Sequence, residues 1–205
     1  MTGGAVAGWT ARPITLEGPL VRLEPLRPDH VEALCRVGLD ERIWEWNPFG
    51  VYSEREMAAY VDEAIALRDR GAAVPFATIE RATGTVIGST RFGAIDEKNR
   101  RVEIGWTWLG AAWWRSGVNT DAKRRMLGHA FEAWGCCRVE FKTDARNERS
   151  RAAIERLGAQ FEGTLRQHMV TRTKRMRDTV YYSILAGEWP NVRSFLDTRL
   201  AGGSA

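Results

Sequence analysis

The 205-residue sequence predicts an α/β chain of the α+β kind, with a mixed, mostly antiparallel sheet of about seven strands and helices on both faces. Three observations predict it. Three strand-like stretches follow one another in the middle of the chain across short polar turns, "RATG" and "DEKNR". Amphipathic helical stretches flank this meander. A strand–helix–strand unit comes after it, and such a unit brings a parallel pairing into an otherwise antiparallel sheet.

Taken in order, "LVRLEPLR" (20–27) alternates and reads as a strand. Pro28 and Asp29 open a helix to about Val37, with Val31, Leu34 and Cys35 on one face. "ERIWEWNPFGVY" (41–52) reads as an aromatic loop. Ser53 caps the next helix, with Glu56 completing a capping box, and Gly71 stops it. "VPFATIE" (74–80), "TVIGSTRFGAI" (85–95) and "RVEIGWTWL" (101–109) are the meander. A helix follows whose stripe is Ala122, Met126, Ala130 and Phe131, with Leu127 and Trp134 beside it. Then come a strand at 138–145, a helix from Asn147 to Leu157, strands at 159–170 and 176–185, and a last helix over "EWPNVRSFLDTRL". No repeat or linker divides the chain. A single domain is expected over about 15–200, with flexible tails at 1–14 and 201–205, where small residues and glycines gather.

Composition narrows the function classes. Hydrophobic residues make up 44% and charged residues 27%, which fits a soluble globular protein and excludes a disordered chain. No apolar run is long enough to span a bilayer, and the start lacks the basic and apolar regions of a secretory signal, so no membrane role is expected. Three cysteines, Cys35, Cys136 and Cys137, are an odd number without metal-ligand spacing, which suggests a reducing cytoplasmic setting and no metal. The net charge of +4 suits an anionic ligand or simply a solvated surface. Basic and acidic residues are interspersed and no nucleic-acid-binding motif is present, so nucleic acid is not an expected partner.

The stretch "WLGAAWWRSGVNTDAKRRMLGHAF" (108–131) places a strand end, a glycine and a helix start in succession. Gly117 lets the backbone bend, and Asn119 or Thr120 would cap the helix. Free N–H groups and the helix dipole make such a place an anion site; a plain capped helix after a turn is the alternative. It is neither a Walker A loop nor a dinucleotide fingerprint.

With "LVRLEPLRPDH", "VEIGWTWL", "WWRSGVNTDAKRRMLGHAF", "TDARNERSRAAIERLGA", "EGTLRQH" and "RDTVYYSILAGEWP" in this order over roughly 15–190, the chain resembles the GNAT superfamily of acyl-CoA-dependent N-acetyltransferases, and within it the Rim-type group. The resemblance implies a sheet splayed into a V that holds the pantetheine arm of acetyl-CoA along Trp106, Trp108 and Leu109. It implies a pyrophosphate cradle on the backbone of Trp114, Arg115, Ser116, Gly117, Val118 and Asn119. The family motif there is Gln or Arg, two residues, Gly, one residue, then Gly or Ala; only the middle glycine matches. Asn147 resembles the asparagine that bonds pantetheine, and a helix N-cap is a compatible role. Many members carry a tyrosine acid where Ile154 stands, so the acid must come from elsewhere or from water; the resemblance to Rim-type members, which have a serine where Ser150 stands, makes Ser150 a candidate donor, with local capping as its other reading. The arginines of "AKRRM" and "ARNERSR" would reach a 3′-phosphate or form a solvated face.

Glu103 lies mid-strand, where a carboxylate needs a task or a partner. The resemblance implies a general base; a salt bridge to Arg91 is the alternative. Alternation puts Arg101, Glu103 and Gly105 on one face and Val102, Ile104 and Trp106 on the other. The resemblance implies that the aromatic loop overhangs the acceptor mouth, so Trp44, Trp46 and Phe49 are expected to wall the acceptor pocket, with His168 on its flank, near Asp178; a satellite core under the loop is the other reading for two of its four aromatics. The acceptor would be a small amine or a protein N-terminus, and a homodimer is left open. A non-catalytic acyl-CoA-binding or sensing protein is the rival reading.

Overall fold

A computed structural model describes residues 12–202 of the chain. It begins with β1 (Leu16–Glu17) and β2 (Val21–Pro25), then a 3-10 turn at Pro28–His30 that leads into α1 (Val31–Gly38). The short α2 (Glu41–Trp44) and the long α3 (Glu54–Asp69) follow. The meander is β3 (Val74–Glu80), β4 (Val86–Asp96) and β5 (Arg101–Leu109). After it come α4 (Val118–Gly128), which ends in a π turn, β6 (Arg138–Asp144), α5 (Glu148–Glu155), β7 (Gln160–Val170), β8 (Met176–Leu185) and α6 (Trp189–Ala201).

Three elements are additions to the sequence reading, one of them a 3-10 turn at Ala111–Trp113. β1 is a two-residue ribbon on β2, too short to show a period. α2 is one turn inside the stretch read as a loop, started by the Asp40 carboxylate accepting from the Arg42 N–H at 3.0 Å. The expected Ser53 cap of α3 is present, Ser53 Oγ accepting from the Glu56 N–H, but the reciprocal half of the capping box is shifted by one residue, the Glu56 carboxylate accepting from the Tyr52 N–H and not from that of Ser53. The tails lie mostly outside the described residues. At their inner ends, Ile14 packs on the core and Ala201 closes α6.

The strands run in the order β1-β2-β3-β4-β5-β6-β8-β7, eight among the described residues. All neighbours are antiparallel except β5 and β6, which α4 joins by a crossover and which pair in parallel. That parallel pairing spans Arg101–Glu103 of β5 against Arg138–Glu140 of β6, while β5 runs on to Leu109. The sheet therefore opens into a V beyond Glu103.

Two apolar layers hold the sheet. On one face Ala122, Met126, Leu127, Ala130, Phe131 and Trp134, the stripe read from the sequence, are buried against Val102, Ile104, Val139 and Phe141. On the other, α1 and α3 bring Leu34, Met57, Tyr60 and Val61 onto Ala77, Ile79 and Trp108. Each fully buried side chain of this size contributes about 1.5–3 kcal/mol. Asp121 ties α4 to the sheet edge, its buried carboxylate accepting from the N–H groups of Leu20 (2.8 Å) and Val21 (3.0 Å).

Candidate active site

On one side of the V lies the start of α4. Its N-cap is Gly117 in the left-handed conformation (φ 83), not Asn119 or Thr120 as the sequence suggested. Glycine adopts this conformation without the clash a Cβ would bring. It contributes no capping side chain, and no protein acceptor meets the N–H groups of residues 115–120 among the described residues. The free donors and the dipole of an eleven-residue helix thus face one place. Asn119 sits inside the first turn, its Oδ1 buried without a partner. Trp114 donates from Nε1 to the Leu109 carbonyl at 2.9 Å, which folds the loop back on the end of β5.

Across the mouth stands the start of α5. Asn147 is buried and caps it, Oδ1 accepting from the Ser150 N–H at 3.0 Å. The Ser150 hydroxyl is half-buried and has no partner among the described residues. The Arg149 guanidinium lies 3.8 Å from the Trp114 ring centroid, so the two helix starts meet over the V. Ile154 packs against the core.

The other side of β5 is built from charged side chains. β5 carries one residue more than β4 between Gly105 and Trp108, and Trp106 takes a positive φ of 49. This bulge turns Trp106 onto the Glu103 face, where its ring lies 5.1 Å from the Arg91 guanidinium and 5.5 Å from Lys142 Nζ. Simple alternation placed Trp106 with Val102 and Ile104, and the bulge corrects it. Glu103 is 4% exposed, and its partner is Lys142 on β6 at 2.8 Å, not Arg91. Burial raises the Glu103 carboxyl above the usual range, and the Lys142 ammonium works against that rise.

The aromatic segment forms a roof. Its chain reaches the β7–β8 turn, where the Arg172 N–H donates to the Pro48 carbonyl at 3.1 Å and the Arg172 guanidinium covers the Tyr52 ring at 4.3 Å. An open cavity of about 420 Å³ lies between the two, with Trp44, Phe49 and Arg175 in its wall. A second, of about 660 Å³, lies between Trp46 and the start of α5, with Asn147 and Arg149 in its wall. Trp44 is only 2% exposed: it packs on Tyr60 and Trp108 and donates from Nε1 to the Gly38 carbonyl, so it is mainly core. His168 is exposed and meets the Tyr181 ring. The pairing with Asp178 is not formed, because the Asp178 carboxylate accepts from the Gln167 N–H at 2.7 Å.

The profile of the family described as "Acetyltransferase (GNAT) domain" matches residues 21–160. The chain belongs to the GNAT acetyltransferase family. A GCN5-related N-acetyltransferase from Brucella melitensis superposes with a TM-score of 0.85 at 32% identity, over 94% of this chain and 89% of that one. RimJ from Mycobacterium smegmatis, solved in complex with CoA-disulfide, gives 0.81 at 25% identity over 95% and 97%. The uncharacterized N-acetyltransferase p20 of Bacillus licheniformis is 28% identical over 179 residues, 85% of this chain and 98% of that protein. The chain is an N-acetyltransferase of the Rim-type group.

Several residues of this GNAT site were not legible beforehand. Lys142 becomes the partner of Glu103 only through the parallel β5–β6 register. Lys123 carried no distinguishing signal in the sequence, and it is buried, with Nζ on Thr90 Oγ1 (2.8 Å) and Thr107 Oγ1 (2.6 Å), and burial pushes its pKa down to about 7. Its neighbours are engaged too: Arg124 pairs with Asp197 and Arg125 with Asp121. Among the described residues no helix is long and apolar enough to cross a membrane, and no group of three or more His, Cys, Asp or Glu is placed to hold a metal.

Proposed function

We propose that this GNAT enzyme moves the acetyl group of acetyl-CoA to a primary amine by direct attack. The observation that carries this is the V: β5 parts from β6 beyond Glu103, with unpartnered N–H groups on one side and a buried carboxylate on the other. The pyrophosphate would rest on the N–H groups at the start of α4, around Gly117 and Val118, with Trp114, Arg115, Ser116 and Asn119 completing the loop. Binding by backbone groups tolerates the departures at Trp114 and Asn119. The pantetheine arm would run along Trp106, Trp108 and Leu109 and meet Asn147. Backbone N–H of β5 would polarise the thioester carbonyl.

Glu103, directly or through water, takes a proton from the attacking amine. The new C–N bond forms on the carbonyl carbon as the C–S bond breaks. The leaving thiolate receives a proton from solvent or from the Ser150 hydroxyl, whose lack of a partner supports that role. Holding both reactants in one cleft supplies much of the rate. Trp46 and Phe49 would wall the acceptor; His168 is a flank at most, and Trp44 contributes an edge. The three free cysteines support a reducing, cytoplasmic setting.

Thiol release from acetyl-CoA, measured with a panel of amines and peptides, tests the reading. Amine-dependent release is expected. Binding of acetyl-CoA by calorimetry with no release for any amine would contradict transfer, and absence of binding would contradict the donor.

A further inference from the structure

The Glu103 face of the sheet holds more positive charge than its carboxylates pair. On it lie Arg91, Glu103, Lys142, Asp144 and Arg177, from β4, β5, β6 and β8, with Arg175 at the β7–β8 turn, while Glu140 on the same face is already paired with Arg101 and Arg138. Two ion pairs use four of them: Lys142 with Glu103, and Arg175 with Asp144. Arg91 and Arg177 are left over. Arg91 is 2% exposed, between the rings of Tyr60 (5.2 Å) and Trp106 (5.1 Å). Arg177 is 5% exposed, near Glu103 and Asp144 but paired with neither. In each, Nε is buried without an acceptor. A buried donor left unmet is costly, and a fork of parallel N–H groups matches a carboxylate.

We infer that the acceptor is an amine that also carries a carboxylate, with Arg177 and Arg91 as the residues that select it. This rests on the transferase reading and narrows its acceptor class. Arg177 on β8 lies within electrostatic reach of Glu103, and Arg91 stacks on the Trp106 ring on the Glu103 face, so an anion held by either would bring its amine toward the base. The carboxylate belongs either to a free amino acid or to an acidic first residue of a peptide, and the two sources share this chemistry.

The test uses the full chain and matched pairs: phenylalanine against phenethylamine, and a tripeptide beginning with Glu against one beginning with Gln. Thiol release from acetyl-CoA gives kcat/KM, corrected for the fraction of free amine. At least one pair should favour the carboxylate member by about tenfold or more, as a hydrogen-bonded charge pair provides. The pair that responds identifies the source. Arg177→Met and Arg91→Met should each shrink that ratio toward one, and Arg177→Lys should restore part of it. A purely structural arginine would leave the ratio unmoved. Ratios near one in the unaltered protein, or a ratio unmoved in both Met variants, would overturn the inference. If acetyl-CoA binds but no amine is turned over, the transferase reading fails on its own. Calorimetry with N-acetylphenylalanine and N-acetylphenethylamine then still decides about the arginines, and equal binding of the two by the CoA-loaded protein would overturn the inference.

Discussion

The two sides of β5 are built from different material. Toward α4 the groups that face the V are main-chain N–H donors, set by one glycine φ and one helix start. Toward α1 and α3, and over β6 and β8, they are side chains: a carboxylate, a lysine, two leftover arginines and a layer of aromatic rings. A main-chain site tolerates exchange of most of its side chains and fails when the backbone is forced elsewhere. A side-chain site responds to single substitutions and to pH. The motif departures at Trp114 and Asn119 sit on the tolerant side, while Glu103, Lys142 and Trp44 sit on the sensitive one.

The largest effect expected is on stability. Trp44→Ala removes a ring packed on Phe49, Tyr60 and Trp108 and should cost about 3–5 kcal/mol. Denaturant unfolding measures it. An unchanged midpoint with a raised acceptor KM would move Trp44 from the core to the pocket and weaken the contrast. Next comes the backbone side. Gly117→Ala places a Cβ at φ 83 and should cost about 1–2 kcal/mol, together with a loss of acetyl-CoA affinity. Trp114→Phe, a side-chain change in the same loop, should leave that affinity within a few-fold; equal losses in the two variants would dissolve the distinction. The smallest effect is a shift along the pH axis. Lys142 holds the Glu103 pKa down against burial, so Lys142→Met lets it rise further. The base works deprotonated, so the acid limb of kcat/KM should move to higher pH. A limb that stays in place would separate Glu103 from the proton transfer.

Most of the fold was legible because its signals are local. The Ser53 cap, the stripe on α4 and the turns of the meander each lie within a few residues. What escaped depends on pairing between distant segments. The bulge at Trp106 reverses the face of one residue in a strand whose alternation looked regular. Lys142 lies next to Glu103 because two strands far apart in sequence align in parallel. Lys123 looked like the arginines beside it, and only the helix register shows that its stem points into the core while theirs reach Asp121 and Asp197. For the candidate site, the positions of Glu103, Gly117 and Asn147 were readable from motif order, and the charges that surround Glu103 were not.

In the proposed reaction Glu103 acts on the acceptor's proton from the side-chain face, independently of a donor site made of backbone. Glu103→Gln keeps the shape of the side chain and removes its basicity. Its kcat and its acetyl-CoA Kd, measured on the same preparation, test that role. The kcat is expected to fall by about 10²-fold while Kd stays within a few-fold of the unaltered protein. A variant that keeps its kcat, or that loses acetyl-CoA affinity in proportion to turnover, would contradict it.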